Sequence, residues 1–288
     1  MSKLMVAATQ MVCTKNLDQN ISTAERLVFT AAEKGARIIL LQELFETLYF
    51  CQEEKAEHFK LASALEENKA VNHFCAIAKK LKLVLPISFF EKKNAAHYNT
   101  TAVIDADGSI LGIYRKTHIP DGPGYEEKFY FNPGDTGFKV WRTKYACIGV
   151  GICWDQWFPE AARIMALKGA QILFYPTAIG SEPAHGALDS KAHWQTAMQG
   201  HSACNLIPVV ASNRIGTESF GASRITFYGS SFITDNRGQI LQQANRTDAS
   251  VILSEFDLDQ LELQRASWGL FRDRRPSQYK TLLTSSGE

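Results

Sequence analysis

No stretch of this chain stays apolar long enough to cross a bilayer; the best candidates, residues 38–41 and 81–87, have strand length and are bounded by charge. An excess of one charge is also missing. Lys and Arg number 31 against 30 Asp and Glu, a net charge of +1, which gives no reason to expect a nucleic-acid partner. The 6 cysteines form no CxxC pair, HExxH is absent, and no Cys/His cluster has ligand spacing. A metal hydrolase therefore has little support. The opening MSKLMVAATQMVC is too short and too interrupted for a signal-peptide core and reads as a strand. A cytoplasmic location, no membrane contact and no disulfide framework follow as expectations. What is present is ordinary for a globule: 288 residues, 45% hydrophobic and 21% charged, enough for one large core.

Strand and helix patterns alternate along the chain. Strands are predicted at 4–10, 36–41, 83–91, 99–105, 110–114, 147–152, 170–175, 207–212, 227–234, 239–244 and 250–257, and helices at 20–34, 63–81, 159–168 and 191–205. Asp107-Gly108 marks a hairpin, and Gly35 and Gly169 follow helical runs as stop signals. Because hairpins are mixed with helical crossovers, a purely parallel doubly wound sheet is excluded, and two mixed sheets flanked by outer helices fit better. We expect one domain over 1–288 with an extension from about residue 258. The aromatic and aliphatic content of that extension (Trp268, Leu270, Phe271, Tyr279, Leu282, Leu283) calls for packing on the body or on a second subunit.

Cys153 ends an apolar run rich in small residues, Ile148-Gly149-Val150-Gly151-Ile152, and precedes Trp154-Asp155. A thiol at a strand end is exposed on a rigid backbone, and the turn leaves N–H groups such as that of Trp154 free for an oxyanion. A thiol nucleophile needs a base or a cation beside it. None of the 7 histidines stands in a distinctive relation to Cys153, so a Cys–His pair is open but unsupported. Glu43 closes the apolar run Ile38-Ile39-Leu40-Leu41, where a carboxylate is costly unless paired or working as an acid or base. Lys116 follows the hairpin strand, and spacing alone leaves it open between a solvated lysine and a fixed active-site cation.

The segments Leu41-Gln42-Glu43-Leu44-Phe45, Tyr114-Arg115-Lys116-Thr117-His118-Ile119-Pro120 and Gly149-Val150-Gly151-Ile152-Cys153-Trp154-Asp155 together resemble, in order and context, the nitrilase/carbon–nitrogen hydrolase family. Gln42 departs from the Pro that commonly precedes the catalytic Glu. The resemblance covers essentially 3–283. It implies a four-layer α-β-β-α sandwich that pairs with a second subunit, hence a homo-oligomer built from dimers. It also implies a catalytic set of Glu43, Lys116 and Cys153, with Glu127 as a second glutamate orienting the lysine and the substrate, and no metal or organic cofactor.

The substrate expected from this resemblance is a small linear amide or carbamoyl compound. Relatives that take carboxylated substrates carry adjacent arginines shortly after the Cys, where this chain has Gln156 and Trp157. A distal ammonium fits better, held by an anion or aromatic faces, with Glu182, Tyr49, Tyr125 and Trp154 as the candidates. Arg163 and Arg214 remain as cations for the alternative, a carboxylate-bearing linear amide.

Overall fold

The computed structural model describes residues 3–186 and 188–288. In chain order the elements are β1 (Lys3–Gln10), α1 (Leu17–Glu33), β2 (Ile38–Leu40), α2 (Lys69–Leu81), β3 (Leu85–Lys93), β4 (Ala96–Ile104) and β5 (Ile110–Arg115). A short α3 (Glu127–Tyr130) leads to β6 (Val140–Arg142), β7 (Cys147–Val150), α4 (Pro159–Leu167), β8 (Ile172–Pro176), α5 (Lys191–Asn205) and β9 (Val209–Ser212). The chain continues with β10 (Thr217–Phe220), β11 (Ser223–Thr226), β12 (Phe232–Thr234), β13 (Ile240–Gln243), β14 (Ser250–Asp257) and α6 (Leu258–Trp268).

One sheet runs β13-β12-β9-β8-β7-β6, parallel at its centre and antiparallel at its edges. The other is built from β14-β1-β2 and β3-β4-β5, joined where Ile38 bridges Val84 in parallel. Side-chain alternation sorts these strands into layers. Val6, Ala8, Ile38, Leu40 and Val103 point inward against Ile148, Val150, Ile172, Phe174 and Val210 of the facing sheet. The alternate residues, among them Ala7, Ile39, Leu85, Ile87 and Ala102, pack under α1 and α2. Leu173, Tyr175, Val209 and Phe232 pack under α4 and α5. Burying each such branched or aromatic side chain contributes about 2 kcal/mol relative to exposure. The result is the expected four-layer α-β-β-α sandwich.

Local chemistry sets the ends of the elements. Asn16 caps α1 by accepting from the Gln19 N–H, and the helix stops before Gly35, whose φ is 93°. The helix predicted at 63–81 begins only at Lys69, because Asn68 caps it by accepting from the Val71 N–H. Ser63 is instead pinned to β3 by backbone bonds to Phe90 and Lys92. The strand predicted at 227–234 is confined to β12, since Gly229 and Ser230 both take φ near 53° and break the extended run. The β10–β11 hairpin and α6 were not expected. After α6, Phe271 lies beneath the guanidinium groups of Arg163 and Arg265, while Leu282 and Leu283 are exposed. All 6 cysteines carry free thiols. Among the described residues no helix is long and apolar enough to cross a membrane.

Candidate active site

Glu43 lies just beyond β2, Lys116 directly after β5, Glu127 opens α3, and Cys153 lies just beyond β7. All four are buried. Lys116 Nζ donates to Glu43 Oε1 at 2.9 Å and to Glu127 Oε2 at 2.6 Å, so one cation sits between two carboxylates. The second oxygen of Glu127 accepts from the Tyr49 hydroxyl at 2.6 Å. Glu43 Oε1 also accepts from the Asn99 side-chain amide at 2.7 Å, whereas Glu43 Oε2 is buried with no hydrogen-bond partner. Among the described residues, that oxygen and the buried Asn99 Oδ1 are the free lone-pair sites of the cluster.

Burial works against the charge on Lys116, but Glu127 and Glu43 outweigh it and hold the ammonium well above the usual lysine range. Burial pushes Glu127 up to about 7 against the pull of Lys116. Burial and the Glu43 carboxylate push the Cys153 thiol well above the ordinary cysteine range, with Lys116 and the Ala178 N–H opposing them. The resting sulfur is therefore a thiol whose proton must be removed by a base, not a standing thiolate.

Cys153 itself has φ +41°, in the left-handed region uncommon for a residue with a side chain. Its turn is held by Asp155. One carboxylate oxygen accepts from the Ile152 N–H at 2.9 Å and from the Tyr114 hydroxyl at 2.7 Å. The other accepts from the His118 N–H at 3.1 Å and lies 2.8 Å from His118 Nδ1. Asp155 thereby ties the turn bearing Cys153 to the segment bearing Lys116. His118, one of the histidines left open as a base, is engaged there, its ring stacked on Phe158 with centroids 3.5 Å apart.

The loop after Glu43 is braced from the facing sheet. Arg214, fully buried after β9, donates to the carbonyls of Glu43 (3.1 Å), Leu44 (2.5 Å) and Thr47 (3.0 Å), and to Glu218 (2.9 Å). Glu218 in turn accepts from the Tyr49 N–H at 2.6 Å. Both terminal nitrogens of Arg214 are thus spent within the fold, while its buried Nε finds no partner among the described residues. Arg163 donates to the Cys204 carbonyl and covers Phe271. Sequence reasoning passed over Asn99 and Asp155; the polar Asn99-Thr100-Thr101 leading into an apolar strand end was the available signal for Asn99.

The four candidate substrate residues divide. Tyr49 is fully buried, its hydroxyl committed to Glu127, with its ring 5.8 Å from that of Tyr125. The Tyr125 hydroxyl donates to the Ser181 carbonyl and accepts from the Gly180 N–H, anchoring its loop to the segment that bears Glu182. Glu182 is half-buried, accepts from Ser190 Oγ at 2.9 Å, and is charge-coupled to Tyr125, which also feels Cys153. Trp154 is 40% exposed and meets the ring of Trp157.

A sandwich of this kind, with a Glu–Lys–Glu cluster buried beside a strand-end thiol, is built to break carbon–nitrogen bonds by way of sulfur. The chain belongs to the carbon–nitrogen hydrolase family, whose sequence pattern matches residues 5–266, and is a hydrolase acting on a linear amide. It is 58% identical over 291 residues to the N-carbamoylputrescine amidase of Oryza sativa subsp. japonica, covering 100% of this chain and 97% of that protein. It is 53% identical over 283 residues to the citrullinase of Francisella tularensis, covering 98% of this chain and 99% of that one. The crystal structure of a carbon–nitrogen hydrolase from Helicobacter pylori G27 superposes with a TM-score of 0.92 at 40% identity, covering 98% of this chain and 99% of that one.

Proposed function

We propose that this protein hydrolyses N-carbamoylputrescine to putrescine, carbon dioxide and ammonia through a covalent intermediate on Cys153, the step that delivers a free diamine for polyamine synthesis. Glu43 Oε2 takes the thiol proton as sulfur bonds to the ureido carbon, and the carbonyl electron pair moves onto oxygen. Lys116 and the Trp154 N–H receive that oxyanion. Collapse breaks the carbon–nitrogen bond, and Glu43 returns the proton to the departing nitrogen. Glu43 then deprotonates a water that attacks the thioester-like carbon and breaks the carbon–sulfur bond, and Cys153 recovers its proton; the carbamic acid so released loses carbon dioxide spontaneously, breaking the second carbon–nitrogen bond and freeing the second amine. Glu127 holds Lys116 in place and Tyr49 holds Glu127.

The observation that carries the catalytic reading is the Oε2 of Glu43, which has no partner among the described residues while Oε1 accepts from both Lys116 and Asn99. For the substrate, support comes from Glu182 beside Tyr125, and from Arg214, the buried cation nearest in sequence logic to a carboxylate grip, being spent on carbonyls and Glu218. On this reading Tyr125 and Trp154 offer the aromatic faces for the ammonium. The likeness to a citrullinase favours a second reading: citrulline has the same ureido end and carbon spacing, with a carboxylate added beside its ammonium.

Ammonia release from N-carbamoylputrescine, citrulline and N-carbamoyl-β-alanine, with Cys153→Ala as blank, tests both parts. Turnover of the diamine compound alone, abolished in Cys153→Ala, is the expected result. Preference for either carboxylated compound overturns the substrate assignment and leaves the cysteine chemistry standing. Glu182→Gln should raise KM for the diamine substrate about 10- to 100-fold, the worth of one charge-assisted contact, with little change in kcat.

The same reading includes dimers. A groove of about 860 Å3 lies across α4, α5 and the tail, with Trp157, Ile164, Leu167, Tyr279 and Leu282 along it. Sedimentation of the chain shortened after residue 268 should show a smaller assembly than the full chain; an unchanged size counts against the tail's part in it.

A further inference from the structure

We infer that Asn99 is a positioning residue that makes Glu43 a one-oxygen base, committing all of its proton traffic to Oε2. The inference rests on the catalytic reading of Glu43 given above.

Glu43 Oε1 receives two hydrogen bonds, from the Lys116 ammonium at 2.9 Å and from Asn99 Nδ2 at 2.7 Å. The amide turns its nitrogen toward Glu43, as an accepting carboxylate oxygen requires, and its own Oδ1 is left buried without a partner among the described residues. With both favourable directions at Oε1 filled by donors, a proton arriving from the thiol has room only on Oε2, the oxygen left without a partner. The backbone carbonyl of Asn99 also accepts from the backbone N–H of Lys116 at 2.8 Å, which sets the lysine's main chain beside it. Base and cation are thus indexed to one point on β4.

That point is itself rigid. The neighbouring Thr100 donates to Glu91 at 2.7 Å, and Arg115, paired with Thr100 across the hairpin, holds Glu91 and Asp135. The charged and titratable groups around Glu43 are Lys116 just after β5, Glu127 on α3, Tyr49 and Cys51 from the loop after β2, Cys153 from the facing sheet, and the Arg214 guanidinium on the Glu43 carbonyl. In this company Asn99 is the neutral donor, able to hold Oε1 without adding charge. A cation there would hold the carboxylate too firmly to accept a proton, and an anion would compete for it.

The test compares Asn99→Ala and Asn99→Asp with the parent, with Thr101→Val as the control. Thr101 is the next inward-facing residue of β4, buried, with an unpartnered hydroxyl, and Thr101→Val should leave activity intact. Asn99→Ala should lower kcat about 10- to 100-fold with KM within about twofold. Asn99→Asp, nearly the same shape, sets a second carboxylate against Glu43, so the acid limb of the kcat/KM profile should move up by about one pH unit or more. A merely structural role would scale the profile without moving it. An Asn99→Asp profile superimposable on the parent, or a rise in KM at unchanged kcat for Asn99→Ala, overturns the assignment. Glu43→Gln run alongside separates the two layers of argument: if it retains activity, the base reading itself is wrong. If it is inactive while both Asn99 variants match the parent, only the role of Asn99 is lost.

Discussion

Glu46 sits on the loop between Glu43 and Tyr49, and it is buried with no cation paired to it among the described residues. Its exposure is 7%, and its oxygens accept from the Asn68 side-chain amide at 3.2 and 3.1 Å. Burial pushes it up to about 7 from the ordinary 4.5, with Asn68 and the Ala70 N–H pulling the other way. Both donors belong to the start of α2, where the helix favours a negative charge by about 0.3–1 kcal/mol. Burial is the larger effect, so the charged form is the unfavourable one. Below pH 4.5 folded and unfolded chains both hold the proton and Glu46 exerts no penalty. As pH rises toward 7 only the folded chain still holds it, and stability falls, reaching a loss of about 3 kcal/mol above pH 7. Glu46→Gln removes the charge at constant volume. It should leave the melting temperature nearly unchanged at pH 5 and raise it by about 6 °C at pH 8, with kcat preserved. Thermal denaturation of both proteins at the two pH values measures this. An equal difference at both, or a parent more stable at pH 8, refutes the claim that desolvation outweighs the helix end.

Three further outcomes follow from close contacts. A Cβ on Gly134 would stand 2.1 Å from the Arg115 carbonyl oxygen and 2.7 Å from that of Lys116, so Gly134→Ala should cost about 3 kcal/mol or more and displace the lysine; melting and activity should fall together. Asp155→Asn puts an amide among four donors and should lower kcat about 100-fold, measured beside a slower rate of Cys153 alkylation. Arg214→Leu strands Glu218 without its ion-pair partner and should destabilise by about 3–5 kcal/mol in urea titrations.

What could be read from the sequence was whatever is encoded locally. Apolar runs that end in a chemically expensive residue pointed to Glu43 and Cys153, because a carboxylate or a thiol at a strand end stands out against Ile and Leu. Lys116 was ambiguous by spacing and became a candidate through resemblance, as did Glu127, whose sequence context is plain. The supports were illegible because they come from far along the chain: Asn99 reaches Glu43, Arg214 reaches Leu44, and Asp155 reaches Tyr114. No periodicity records such meetings. Similarly, β10 and β11 hide in Thr217-Glu218-Ser219-Phe220 and Ser223-Arg224-Ile225-Thr226, where only Glu218 and Ile225 are buried. The start of α2 was misjudged because Asn68 competes with the apolar periodicity and wins.

Cys153 hangs from one sheet, while Glu43 and Lys116 hang from the other. On the proposed mechanism neither half holds a working centre by itself, so turnover gauges how well two slabs of the molecule are aligned. A slip of one slab against the other would leave every strand and helix in place and still separate sulfur from its base. On heating, catalysis should therefore fail before the far-ultraviolet circular dichroism signal changes. Solutes that tighten packing between the slabs should extend the working temperature range without altering the chemistry.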